Sequence, residues 1–245
     1  MTFFTHFGTY LVMIKGMFTK PENWKMYWKE LMHQCVDIGI GSLPIVLIIS
    51  LFLGAVTTVQ TAYQLVTPLV PMATVAQIVR DSVILELAPT VLSIVLAGVV
   101  GSKIASELGN MRISEQIDAL EIMGINTKSY LIMPRILGAL IVIPCLIVIS
   151  AVAAMWGGRE AGSLTGIIAH DIYDVGLRQH LNTYNIIFAL YKAYTFAFIV
   201  SSVPAYYGYH VKGGSLEIGR SSTSAVVVSC ILILLADYVL AALFL

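Results

Sequence analysis

An all-α integral membrane protein is the fold class this sequence predicts, with five transmembrane helices, an interfacial helix at the amino terminus and a short polar helix on the cytoplasmic side. Three observations predict it. Apolar residues make up 58% of the 245 residues and charged residues only 11%, with a mean hydropathy of +0.87, whereas average soluble domains are roughly a quarter charged. The apolar residues gather into runs of about 20 or more, the length needed to cross hydrocarbon. Between two of these runs lies a stretch, residues 110–124, too polar to enter lipid and too short to span it.

The same composition excludes other classes. A formal charge of zero and a pI near 7.0 leave no clustered basic surface for nucleic acid. Cys35, Cys145 and Cys230 lie far apart in or beside apolar runs, where a thiol behaves as a small hydrophobe, so no disulfide or metal role is expected. The first lysine is Lys15, with no basic region before it and no small-residue cleavage site after it, so the amino terminus is expected to stay on the mature protein.

Residues 1–35 read as an amino-terminal interfacial segment. Phe4, Phe7, Leu11, Ile14 and Phe18 recur at steps of three and four, the spacing of one helical face. A second helix starts at Pro21 and carries Trp24, Tyr27, Trp28 and Leu31 among Lys20, Glu22, Lys25, Lys29 and Glu30. Indole and phenol rings favour the headgroup level and lysines snorkel to water, which lays this segment along the membrane.

Residues 36–245 read as a five-span domain with spans at about 36–63, 80–107, 129–156, 184–206 and 224–244. The first carries Gly39, Gly41, Gly54 and Ala55, then a polar tail of Thr57, Thr58, Gln60, Thr61 and Gln64, suited to a wet cavity or to bonds between helices. Thr67-Pro68-Leu69-Val70-Pro71 makes a turn, and Arg80-Asp81 opens the second span. There Ala97, Gly98, Gly101, Ser102, Ala105 and Ser106 form a small-residue stripe that permits close helix contact. Pro134 and Pro144 are expected to break the third span, and residues 157–183 to form a polar connection. In that connection His170, Asp171, Asp174 and His180 read as solvated groups rather than metal ligands. Lysine and arginine concentrate at Lys15, Lys20, Lys25, Lys29, Lys103, Arg112, Lys128, Arg135, Lys212 and Arg220 on one face, against Arg80, Arg159 and Arg178 on the other. The positive-inside rule therefore places the amino terminus and residues 110–124 in the cytoplasm and the carboxyl terminus outside.

Ionisable groups at membrane depth are costly and usually face a cavity or a partner. Glu86 sits inside the second span, followed by Pro89, which frees a backbone carbonyl one turn earlier. It reads as a cavity or headgroup contact, with a brace to a neighbouring helix as the alternative. Lys192 and Asp237, in adjacent antiparallel spans, predict a buried ion pair that pins two helices, in preference to a proton or ion relay. In the polar stretch Ser114 suits an N-cap, Glu115 and Asp118 the positive end of a helix, and Gly124 its exit. Ile113, Ile117, Leu120 and Met123 fall on or near one face, and periodicity does not decide between a soluble partner and the membrane surface.

No H-E-x-x-H, G-x-S-x-G, paired-cysteine or G-x-x-x-x-G-K-[ST] pattern is present, so the sequence offers no metal site, nucleophile or phosphate loop, and no cofactor is expected. An intramembrane protease lacks both nucleophile and base.

Glu86-Leu87-Ala88-Pro89, Ala97-Gly98, Gly101-Ser102, the run from Glu107 through Leu120 and then Met123-Gly124 resemble the signature of MlaE-type permeases, the membrane subunits of ABC transporters that move phospholipid between two membranes. The similarity extends from about Asp37 to the end and includes Lys192 and Asp237. The resemblance implies a homodimer in a bacterial inner membrane, a phospholipid substrate, a cytoplasmic ABC ATPase that hydrolyses ATP while the permease itself is not an enzyme, and a periplasmic MCE-domain protein. It implies a lipid cavity near Gln60, Tyr63 and Glu86, and a coupling helix in which Arg112, Ser114, Glu115, Gln116, Ile117, Asp118 and Leu120 meet the ATPase. Leu85 and Val99 stand where relatives often carry basic residues, and Asn126-Thr127 where D-P is usual. The reading from residues alone keeps an alternative, an ion-coupled secondary carrier using Glu86, Lys192 and Asp237.

Overall fold

A computed structural model of the chain describes residues 3–17, 24–65 and 71–244. The expectations placed on Phe18, Lys20, Pro21, Glu22 and residues 67–70, and on the side chain of Phe4, lie outside what it describes. The described residues form α1 (Phe3–Met17), α2 (Trp24–Gln64), α3 (Ala73–Ile113), α4 (Gln116–Ile122), α5 (Lys128–Leu164), α6 (His170–Arg178), α7 (Thr183–Tyr209) and α8 (Ser215–Phe244). Helices α2, α3, α5, α7 and α8 are each long and apolar enough to cross a membrane.

Helix α2 runs unbroken for 41 residues, about 60 Å at 1.5 Å per residue, so the segment with Trp24 and Trp28 continues directly into the first span. Hydrocarbon is only about 30 Å thick, and the excess length emerges beyond it. In α1 the two sides are both apolar. Phe7 and Leu11 are exposed, while Met13 and Met17 are buried against the bundle, because for a membrane protein the outward face is also apolar.

Helix α7 is the axis of the bundle, contacting α3, α5 and α8, and α2 packs lengthwise on α5. Both seams depend on missing side chains. A Cβ at Gly54 would collide with the backbone of Ala154, one at Gly157 with the backbone of Leu51, and one at Gly158 with the hydroxyls of Thr58 and Tyr173. On the other seam a Cβ at Gly208 would strike the Ala105 backbone, and Gly101 faces the ring of Pro204. Two buried hydroxyls bond within their own helices, Ser50 to the Val46 carbonyl at 2.7 Å and Ser201 to the Ala197 carbonyl at 2.8 Å.

The third span is not broken by its prolines. Pro134 lies in the first turn of the α-helical segment that follows a π-turn at Lys128–Ile132, and the helix continues through Pro144. Nor is the connection at 157–183 a loop throughout, since α5 continues to Leu164 and α6 follows. The fully buried Arg80 donates to the carbonyls of Leu177 (2.9 Å), Gln179 (2.6 Å) and His180 (3.3 Å), closing the carboxyl end of α6 where a cation is favoured. Arg159 donates to both oxygens of Asp174 at 2.8 and 3.2 Å, and this bidentate bond holds the Asp174 carboxyl below its usual range.

Replacing Gly54 with Val should separate α2 from α5 and lower stability in detergent by about 3 kcal/mol, the scale of an overpacked seam. Thermal unfolding followed by fluorescence-detected size exclusion checks it, and an unchanged midpoint would show that the seam has slack.

Candidate functional site

Two places gather polar groups that the surrounding sequence would otherwise exclude. The first is at membrane depth. The backbone of α3 adopts π-helical turns at Val83–Val91, around Glu86 and Pro89, and again at Ala97–Gly101. Pro89 has no N–H, so the Leu85 carbonyl loses its α-helical partner. Lys192 of α7 supplies one, donating from Nζ at 3.0 Å. The same ammonium lies 2.6 Å from Glu86 Oε1 and 2.6 Å from Asp237 Oδ1 of α8, and 5.1 Å above the ring of Phe188.

Sequence reasoning paired Lys192 with Asp237 and assigned Glu86 separately to a cavity; the structure brings all three together. Lys192 is 0% exposed, Asp237 16% and Glu86 47%. One cation between two carboxylates carries a net negative charge when all three ionise, and the excess lies on the open side, at Glu86. Thr90 donates to its second oxygen, Oε2, at 3.2 Å. Gln60 and Tyr63 are exposed on α2, Tyr63 to 81%, so within one subunit the three cavity candidates occupy open surface.

The second place is α4. Ser114 is not its N-cap. It ends α3, its hydroxyl donates to the Asn110 carbonyl at 2.7 Å, and the chain turns through Glu115 in the left-handed region at φ 59°. Gly124 at φ +81° makes the exit, with Gly124 N–H donating to Glu121 O at 3.0 Å and Ile125 N–H to Leu120 O at 3.1 Å.

The apolar face of α4 points into its own subunit. Ile117 is fully buried and Leu120 packs against the core, so of the predicted docking residues Ile117 is an anchor instead. Arg112 and Asp118 are joined at 2.7 Å, which engages both locally. Glu121 Oε1 accepts from Tyr209 Oη at 2.8 Å and Thr127 Oγ1 at 3.0 Å, tying α4 to the ends of α7 and α5. What α4 leaves open is Glu115, Gln116, Ala119, Ile122 and Met123, the last two large and apolar. Ile122 lies off the face that the spacing marked, whereas Met123, placed on or near that face, is exposed all the same.

Comparison with known families matches residues 31–243 to permease MlaE. The chain belongs to the MlaE permease family. It is similar to a probable ABC transporter permease protein of Rickettsia bellii (strain RML369-C), 36% identical over 219 residues that cover 89% of this chain and 84% of the relative. It is 33% identical over 221 residues to Protein TRIGALACTOSYLDIACYLGLYCEROL 1, chloroplastic, of Arabidopsis thaliana, covering 90% of this chain and 63% of that one. A probable ABC transporter permease protein of Synechocystis sp. is 30% identical over 212 residues, 86% and 80% of the two chains. The MlaE match takes in both places just described and leaves α1 outside it.

In this MlaE-family bundle, replacing Lys192 with Met leaves two carboxylates at membrane depth without a counter-charge. Stability should fall by about 3 to 5 kcal/mol, and adding Glu86→Gln with Asp237→Asn should recover most of it. Thermal midpoints of the single and triple variants in detergent check both halves of this expectation.

Proposed function

We propose that this chain is the membrane-spanning subunit of an ABC transporter that moves phospholipid between inner and outer membranes, performing no chemistry itself. It works as a homodimer in a bacterial inner membrane, with its amino terminus and α4 in the cytoplasm and its carboxyl terminus in the periplasm. A separate ABC ATPase hydrolyses ATP against α4, and an MCE-domain protein sits on the periplasmic face. Besides the family, the observation that carries this reading is the position of α4. A short helix anchored by Ile117 and by the Arg112–Asp118 and Tyr209–Glu121 contacts offers Ile122, 87% exposed, and Met123 beyond the end of the spans. Rigid attachment on one side and an apolar surface on the other suit a lever that passes a partner's movement into α3, α5 and α7.

The lipid cavity forms where two copies close over Gln60, Tyr63 and Glu86, since polar groups on a span surface are costly against acyl chains. A relative named for trigalactosyldiacylglycerol, a glycolipid, supports a lipid cargo. The meeting of Glu86, Lys192 and Asp237 favours a second reading, an ion-coupled carrier, which would transport without any ATPase when given a proton or sodium gradient.

Replacing Ala119 with Arg together with Met123 by Glu should release the ATPase from the purified complex while the permease keeps its thermal midpoint; retention of the ATPase overturns the docking assignment. Glu86→Ala leaves Lys192 balanced by Asp237, so it should change the lipid recovered with the complex more than its stability. Unchanged lipid content and transport, read by thin-layer chromatography and a vesicle assay, would leave Glu86 a brace for Lys192.

A further inference from the structure

We propose that a pocket between α1 and the turn joining α7 to α8 binds an anionic phosphate group at the membrane surface, carried either by a phospholipid headgroup or by a soluble phosphate ester. The pocket encloses about 260 Å³ and is lined by His6, Tyr206, His210, Lys212, Arg220 and Ser221, among others. At roughly 30 Å³ for each water displaced, it has room for a phosphate and its ester group. Its place follows from the spans. Tyr209 ends one membrane-length helix and Ser215 begins the next, so the turn lies at headgroup level, where tyrosine rings are favoured. The inference does not depend on which lipid is transported or on what α4 touches.

The chemistry of the lining points to an anion. Lys212 and Arg220 are both exposed cations, and Glu217, which holds Arg220 at 2.7 Å, is the one carboxylate in the lining, so a positive excess remains. The two histidines converge on one tyrosine. His6 Nδ1 lies 2.8 Å from Tyr206 Oη, and the His210 ring lies 4.6 Å from the Tyr206 ring, tilted by 41°. His210 Nδ1 is 2.9 Å from the Tyr206 backbone carbonyl. A carbonyl only accepts, so Nδ1 carries the proton, and Nε2 is the atom that gains one when the ring becomes cationic.

Burial keeps that ring neutral, and the nearby cations Lys128 of α5 and Arg112 of α3 add to the effect, so the His210 pKa lies below the usual imidazole range. The other groups facing it are His6 of α1 and Tyr206 and Tyr209 of α7, with Glu217 and Arg220 of α8 and Lys212 across the pocket. An anion offsets the repulsion among these cations and raises the pKa again. Binding therefore takes up a proton, and affinity falls as pH rises through the imidazole range.

The test uses the full chain in detergent, native mass spectrometry, and three probes: phosphatidylglycerol, glycerol 3-phosphate and zwitterionic phosphatidylcholine. Phosphatidylglycerol should be retained in preference to phosphatidylcholine, and Lys212→Gln with Arg220→Gln should weaken it about tenfold. Both side chains are exposed, so the double variant should keep the wild-type thermal midpoint. Binding of phosphatidylglycerol alone assigns a headgroup, and binding of glycerol 3-phosphate as well shows that the phosphate suffices. The phosphodiester does not titrate near neutrality, so the pH profile with phosphatidylglycerol reports His210, and His210→Gln should flatten it. Equal retention by the Lys212 and Arg220 double variant, or no preference over phosphatidylcholine, overturns the proposal.

Discussion

A single ammonium group with no access to water organises the centre of this bundle. Lys192 is fully buried on α7, and in hydrocarbon its charge is tolerable only with hydrogen-bond acceptors and opposite charge close by. The fold meets that charge from three directions: hydrogen bonds to Glu86 on α3 and to the Leu85 carbonyl that Pro89 leaves without its α-helical donor, and the opposite charge of Asp237 on α8. Each acceptor comes from a different part of the chain or a different chemical source. The relative rotation of α3, α7 and α8 is therefore limited by one atom. The π-turns of α3 belong to the same constraint, because they mark where the regular ladder yields so that Glu86 and Leu85 can face Lys192.

Around that point, packing is set by what is missing rather than by what is present. In lipid, apolar side chains gain little by leaving one apolar medium for another, so close backbone approach and dispersion contacts hold the seams. Gly54 with Gly157 and Gly158 brings α2 onto α5, and Gly208 with Ala105 brings α7 onto α3. Helix α8 packs on α7 and α3 through a narrow buried stripe that includes Ala225, Ser229 and Ile233, and carries Asp237 to Lys192.

At the end of the bundle that carries α4, the polar groups form linked contacts. Arg112 holds Asp118, Tyr209 and Thr127 hold Glu121, Lys103 lies 2.5 Å from Asp37, and Arg135 lies 3.4 Å from Glu107. Helix α4 is therefore fastened to the bundle at several points, and a force applied to it is shared among several spans. The opposite end is built differently, around Arg80 closing α6 and Arg159 holding Asp174, so each end of the bundle has its own polar clamp.

The sequence by itself determined the class of the fold, the number of spans and the presence of a polar helix between two of them, because hydrocarbon imposes length and polarity limits that act residue by residue. It also marked Glu86, Lys192 and Asp237 as anomalies, since a charge in an apolar run is conspicuous wherever its partner lies. Only the tertiary structure decided that the three share one site, because residues 86, 192 and 237 meet through helix packing that no local pattern encodes. The face of α4 was decided there too. Ile117 is equally apolar whether it anchors inward or docks outward, and only the position of the neighbouring helix ends tells which. Likewise Phe7 and Leu11 match either core or lipid, and in a membrane protein hydrophobicity alone does not distinguish inside from outside.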